Sequence, residues 1–327
     1  MNFILKKQAV GNTANDRPGE DFCMADIVSI VIPTYGANTN PCRAVNSVLS
    51  QDYKDVEVIV VDDNGKGTPQ QTANEMLFIK YQKDPRFRYV VHPENRGGSV
   101  ARNSGVAASK GKYLCFLDDD DEFTDPHKLS VQIKEAEGLG MDWAGTYSSC
   151  DICKGTEFVR KVVSEKSGRI LEEYMLDKVR TGISAFVITR TAYDAVLGFD
   201  GTFKRHQDWE FFARIFDQFQ MKAVPEVTYS RYYKTDVARK SPEVRLAYMD
   251  KYAESMRTHI KSISTKKLEK IIRRKYMGIV FAMLRDKKVR LARQVIKENH
   301  FAALDYLTMI KLAINYGIMR LKYGSHF

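Results

Sequence analysis

Long hydrophobic runs are missing from this 327-residue chain. Nowhere do about 18 apolar residues stand together, the length that a bilayer-spanning helix needs. Near the start, Phe3-Ile4-Leu5 meets Lys6-Lys7 at once, too short for the core of a secretory signal. Cysteine is scarce and odd in number, five in all. That excludes a disulfide-built scaffold and favours a reduced, cytoplasmic chain. Cys150 and Cys153 make one C-x-x-C pair without a second, a poor basis for a zinc site. The six histidines show no metal-ligand spacing. No repeat or low-complexity tract is present. A dinucleotide fingerprint is absent too, since Gly65-Lys66-Gly67 lacks a third glycine.

What is present is an ordinary globular composition, 44% apolar and 28% charged. The net charge of +10 is unevenly spread. Residues 242–327 hold 19 Lys+Arg against 7 Asp+Glu, whereas 1–241 hold 32 against 34. This shift sets the expected organisation. Residues 1–26, polar and aperiodic, read as a disordered extension. Residues 27–241 form an α/β domain, and 242–327 a basic, all-helical appendage.

Within the α/β part, short apolar runs at 27–32, 56–61, 87–91 and 112–117 read as buried strands. Helical spacing separates them at 41–51, 69–82 and 99–109. That alternation predicts a parallel sheet with right-handed crossovers. Further on come a helix at 126–139, a strand pair at 143–152 and 157–163, a helix at 170–178, a strand at 183–189 and an amphipathic helix at 207–219. Beyond Ser241 helices are expected at 243–260, 266–284, 290–299 and 302–322.

The strand at 112–117 runs straight into Asp118-Asp119-Asp120-Asp121. Such a run can be a solvated loop. At the carboxyl end of a buried parallel strand, however, it sits where open α/β sheets bind ligands. Four adjacent carboxylates repel one another, and a divalent cation with a phosphate behind it suits hard oxygen donors.

Five stretches in fixed order now resemble the family 2 glycosyltransferases, which have the GT-A fold and use nucleotide sugars. They are Val31-Ile32-Pro33-Thr34-Tyr35; Val60-Val61-Asp62-Asp63; Asn95-Arg96-Gly97-Gly98 with Ala101-Arg102-Asn103-Ser104-Gly105; Phe116-Leu117-Asp118-Asp119-Asp120-Asp121; and Gly198-Phe199-Asp200 with Gln207-Asp208-Trp209-Glu210. The resemblance covers about 27–235. It implies a mostly parallel GT-A sheet with flanking helices, followed by the C-terminal helices.

The resemblance also implies roles. Pro33, Thr34 and Tyr35 would line the base pocket with Asp62 and Asp63. A carboxylate only accepts hydrogen bonds, so Asp63 would suit uracil N3–H and repel cytosine; guanine also offers a ring N–H, so UDP is favoured over CDP more firmly than over GDP. Gly97 and Gly98 would let backbone approach a phosphate or sugar, with Arg102 facing the donor diphosphate. Asp118 or Asp119 would reach the ribose or a metal-bound water, and Asp120 with Asp118 would hold Mg²⁺ or Mn²⁺. Asp208 would be the base that takes the proton from an acceptor hydroxyl. Trp209 reads as a sugar platform or as core. Relatives often place a His after the last strand; here Arg231, Lys234, Arg239 or Lys240 would supply positive charge instead.

The expected activity is metal-dependent, inverting transfer from a nucleotide sugar, UDP-linked, to a saccharide or lipid-linked glycan in surface polysaccharide synthesis. The rival is a catalytically weak α/β binding module with a basic tail docking on membrane or nucleic acid. Specific nucleic-acid recognition is not expected. An anionic membrane surface is a candidate partner for 242–327, at the inner face of the membrane. Internal packing of the same helices is the alternative.

Overall fold

The computed structural model describes residues 26–36, 41–179, 181–232 and 240–302, together with 305–307, 310 and 314. Residues 1–25 of the N-terminal extension and most of the expected helix at 302–322 lie outside the described residues, as do Lys234 and Arg239.

Strands β1 (Val28–Thr34), β2 (Val56–Asp62), β3 (Phe87–Val91) and β4 (Tyr113–Phe116) alternate with helices α1 (Pro41–Leu49), α2 (Pro69–Phe78) and α3 (Gly98–Ala107). All seven residues of β2 are buried, because a strand inside a parallel sheet is covered on both faces. A two-residue β5 (Glu122–Phe123) and α4 (Lys128–Ala136) follow. Then come β6 (Trp143–Lys154), β7 (Glu157–Val162), α5 (Leu171–Met175), β8 (Phe186–Thr189), α6 (Arg190–Ala195), α7 (Gln207–Gln218) and β9 (Gln220–Tyr232). Helices α8 (Pro242–His259), α9 (Thr265–Arg285) and α10 (Val289–Glu298) complete the described chain.

One sheet carries the order β3-β2-β1-β4-β8-β6-β9-β5, with β7 paired to β6. The expected parallel pairing holds from β3 to β4. Beyond β4 the sheet is mixed: β8 is antiparallel to both β4 and β6, whereas β6 and β9 run parallel. The carboxyl ends of β1, β2, β3 and β4 therefore share one edge, and the acid run leaves from it.

The long strand β9 is not apparent from the sequence, because Pro225 sits inside it. Proline cannot donate to a ladder. The structure accommodates it by a register shift: Ser148 pairs with Val224 and Ser149 with Val227. Pro225 and Glu226 bulge outward, both exposed. The expected strand at 183–189 is also shorter, starting at Phe186 after a single 3₁₀ turn.

Helix α3 lies against β1 at unusually close range. A Cβ on Gly105 would stand 2.3 Å from Val31 Cγ1. The glycine of the Ala-Arg-Asn-Ser-Gly stretch therefore serves helix–sheet packing, bringing the helix that carries Arg102 close to β1.

The C-terminal helices join the same hydrophobic core. Met249, Tyr252, Met256, Ile272 and Met283 belong to the cluster that contains β1 and α7. Polar ties reinforce the contact. Ser255 Oγ donates to Glu210 Oε1 at 2.8 Å, and Lys275 Nζ to Asp177 Oδ1 at 2.9 Å. The shift of charge at 241/242 thus marks the start of α8 without interrupting the core.

Candidate active site

The strand ends converge on a cavity of about 580 Å³. Its wall includes Pro33, Thr34 and Tyr35 from β1, Asp63 after β2, Gly97, Gly98 and Arg102 around the start of α3, and Asp118, Asp119 and Asp120 after β4. Ten expected binding residues thus meet on one surface. Tyr35 is 62% exposed at the lip, where its ring can meet a flat ligand.

Asp62 does not join them, which corrects the expectation. It is fully buried and off the cavity. Its carboxylate accepts from Asn64 N and Nδ2, from Asn74 Nδ2 and from Tyr89 Oη at 2.7–2.9 Å. It organises the turn after β2.

Asp63 faces the cavity while holding its neighbouring loop. Oδ1 accepts from Arg96 N at 2.8 Å and lies 2.7 Å from His92 Nδ1; Oδ2 accepts from Gly97 N at 2.7 Å. His92 Nε2 in turn lies 2.9 Å from Ser104 Oγ on α3. A carboxylate offers about four acceptor positions, so one remains for a ring N–H. His92 was unreadable from sequence because its partners are 29 and 12 residues away.

The two glycines divide their work. Gly97 has φ +89°, and nothing lies within 4 Å of where its Cβ would be. At Gly98 a Cβ would meet Gln207 Oε1 at 2.9 Å and Arg102 Nη1 at 3.1 Å. Gly97 keeps the turn and the cavity open, whereas the room at Gly98 is filled by protein.

The four carboxylates of the acid run separate in space. Asp118 Oδ1 accepts from Arg102 Nη2 at 2.7 Å. Asp119 Oδ2 accepts from Thr34 Oγ1 at 2.7 Å across the β1/β4 pair. Asp121 turns inward, accepting from Ser184 Oγ at 2.8 Å and Tyr232 N at 3.3 Å. Burial, then the charges of Asp118 and Asp120, raises its pKa well above the usual carboxylate range. Asp120 lines the cavity, and its carbonyl accepts from Arg43, which stacks on Tyr232 with Cζ 4.0 Å from the ring centroid.

Among the described residues no group of three or more His, Cys, Asp or Glu could hold a metal by itself. Two carboxylates on a cavity wall still fit such an ion. Mg²⁺ is commonly held by one or two carboxylates together with substrate phosphates. Asp120 and Asp118 have that chemistry.

Asp208 stands in the first turn of α7, half-buried and beside the cavity without lining it. Its carbonyl accepts from Tyr174 Oη at 3.2 Å. Burial raises its carboxyl pKa above the ordinary value, partly offset by Arg102, and Asp118 pushes it further up. Its sequence neighbour Gln207 is uncharged, and the fold supplies a like charge by bringing Asp118 near. The other local carboxylates are committed. Glu210 is locked to Arg214 at 2.6 Å, and Asp200 accepts from Thr202 N and Oγ1. Trp209 is stacked by His206, with centroids 4.6 Å apart, and Lys275 Nζ lies 4.1 Å from its ring centroid. An open sugar platform is therefore not what it provides.

Two cations complete the picture. Arg231 at the end of β9 stays charged despite burial, because Tyr229, Asp121, Asp118 and Asp208 hold it so. Lys204 lines the cavity from an exposed turn that carries no sequence signal. Lys240 is exposed and not on the cavity.

The sequence profile of glycosyl transferase family 2 matches residues 29–197, just over half of the chain. The chain belongs to this family.

The family 2 chain is 27% identical over 248 residues to the amylovoran biosynthesis glycosyltransferase AmsB of Erwinia amylovora, covering 72% of itself and 80% of that protein. Over 129 residues it is 33% identical to WcaA of Escherichia coli K12, named for colanic acid biosynthesis. It spans 39% of its own length there and only 44% of WcaA. Among solved folds it resembles residues 1–349 of S. aureus TarS in complex with UDP-GlcNAc, with TM-score 0.57, 18% identity and coverage of 78% and 72% of the two chains. The mannosyltransferase PcManGT of Pyrobaculum calidifontis, solved with GDP-Man and Mn²⁺, matches with TM-score 0.53 and 15% identity, covering 91% and 81%. At these identities the structural likeness establishes the GT-A-type mixed sheet with flanking and C-terminal helices.

Proposed function

We propose that this family 2 chain transfers a sugar, with inversion and with a divalent cation, from a UDP-linked donor to a saccharide or lipid-linked glycan in surface polysaccharide synthesis. One juxtaposition carries the reading. The start of α7 places Gln207 on the cavity that gathers Asp63, the acid run and Arg102, and places Asp208 immediately next to it. A donor in that cavity has a carboxylate at its flank.

The residues divide the labour. Thr34, Tyr35 and Asp63 take the base, with the remaining acceptor position of Asp63 meeting uracil N3–H. Gly97, Arg102 and Lys204 face the diphosphate. Asp120 and Asp118 would hold Mg²⁺ or Mn²⁺, which as a Lewis acid neutralises the departing diphosphate. Asp208 takes the acceptor proton as that oxygen attacks the sugar. The family assignment, the polysaccharide roles in the names of AmsB and WcaA, and the nucleotide sugars bound by TarS and PcManGT support this reading.

The deciding experiment is slow donor hydrolysis, with and without Mn²⁺, across a panel of UDP- and GDP-sugars. Metal-dependent release of UDP from one of them is expected. Turnover only of UTP with a sugar 1-phosphate, releasing inorganic pyrophosphate, would mark a nucleotidyltransferase instead, and no turnover of any donor would favour the binding-module alternative.

A further inference from the structure

A second cavity, of about 310 Å³, lies between the start of α7 and helices α8 and α9. Small-ligand sites begin at roughly 300 Å³. Asp177, His206 and Trp209 line it from the α/β side, and Arg245, Arg274 and Lys275 from the C-terminal helices. Three cations face one carboxylate.

Three consecutive residues connect the two cavities. Gln207 lines the first and Trp209 the second. Asp208 lies between them in sequence and lines neither cavity, within electrostatic range of Arg102 and Asp118 on one side and of Lys275 on the other.

The second cavity is built, not incidental. The Lys275 side chain is 7% exposed, with Nζ 2.9 Å from Asp177 Oδ1. An ammonium has three donors, so this pair uses one. Asp177 and His206 hold left-handed φ of 57° and 59°. Asp and His adopt this conformation more readily than most residues, and here it ends α5 and precedes α7. Burial, aided by Arg205, Lys275 and Arg245, pushes the His206 pKa down to about 4. The imidazole is therefore neutral near pH 7 and able to hydrogen-bond a hydroxyl.

We infer that this cavity is an acceptor subsite reading an anionic group, the carboxylate of a uronic acid or the phosphate of a sugar phosphate, so that a neighbouring hydroxyl meets Asp208. The inference rests on Asp208 being the base. A buried ammonium and a neutral imidazole in one lining make a cavity fitted to a sugar that carries one negative charge.

The binding test needs no donor, so it is separable from the sugar-transfer reading. The chain has two tryptophans, and Trp143→Phe leaves Trp209 as sole indole reporter. Fluorescence is titrated with methyl glucuronide, glucose 6-phosphate and the neutral methyl glucoside. Calorimetry on the wild type reads the same affinities if that variant is unstable. Saturable binding of at least one anionic sugar is expected, about tenfold or more tighter than the neutral one. Arg245→Ala with Arg274→Ala should weaken it by about tenfold. The tighter of the two anionic sugars identifies the group. In transfer assays on that sugar the double variant should raise acceptor KM and hold kcat within about twofold. No saturable binding of either anionic sugar, equal binding of the neutral one, undiminished binding in the double variant, or a fall in kcat at constant KM would each overturn the inference. Failure of Asp208→Asn to impair transfer would instead overturn the base assignment.

Discussion

Arg102 on α3 donates to Asp118 Oδ1 at 2.7 Å, and its other terminal nitrogen donates to Gln207 Oε1 at 2.9 Å. One guanidinium thus joins the acid run to the helix that carries Asp208. A lysine has the charge without the fork. Arg102→Lys should lose one of the two contacts and lower kcat/KM by about tenfold, since hydrogen bonds to charged groups contribute roughly 1.5–3 kcal/mol and Asp118 is partly solvated. UDP release under steady-state conditions measures this. An unchanged kcat/KM would show that the bridge is dispensable.

Asp208→Asn keeps the shape and removes the proton acceptor. Transfer should fall by about 10²-fold or more, with donor affinity nearly constant. Wild-type rates in this variant would eliminate Asp208 as base.

Burial raises the Asp208 pKa, and the basic form is the active one. Activity should therefore decline, as pH falls, at a higher pH than an ordinary Asp would dictate. A kcat–pH profile with its acid limb at or below pH 4 would contradict this.

Removing the metal should stop transfer. EDTA is expected to abolish it, and Mn²⁺ or Mg²⁺ to restore it. Asp120→Ala should weaken UDP binding only when metal is present. Equal rates in EDTA and in Mn²⁺ would refute metal dependence.

Asp62 and Asp63 are neighbours with opposite expected phenotypes. Asp62→Ala leaves four donor groups without their acceptor in a buried turn and should cost about 3 kcal/mol or more of stability, read as a lower Tm. Asp63→Asn places an amide where donors already point. It should weaken UDP binding by about tenfold with a smaller change in Tm. Equal loss of Tm in both would remove Asp63 from the binding surface.

The tail admits a direct check. Helix α10 buries Ala292 and Val295 and exposes Arg290, Arg293 and Lys297. Among the described residues no helix is long and apolar enough to cross a membrane. Flotation with anionic vesicles at low salt should carry the protein upward and release it at high salt. No flotation would leave these helices as an internal subdomain only.

Local chemistry in the sequence already determined much of this protein. Buried apolar runs set β1 to β4, since only two-face burial tolerates such runs. The polar clusters after those strands had to share one edge once the strands were parallel, and the resemblance to family 2 named Pro33, Thr34, Tyr35, Asp63, Gly97 and Asp118–Asp120 on that edge residue by residue. What only the tertiary structure decided depends on partners distant in sequence. Asp62 and Asp63 are adjacent and chemically identical, and the partners Asn74 and Tyr89 turned one inward. The path of β9 through Pro225 required a bulge opposite β6. Lys204 reached the first cavity and Lys275 the second through the packing of loops and helices. Asp208 is an ordinary first-turn helix residue by spacing. Its raised pKa arises because folding buries it and brings Asp118, 90 positions earlier, into its electrostatic range. Electrostatics and burial act through space, and a linear pattern records only neighbours along the chain.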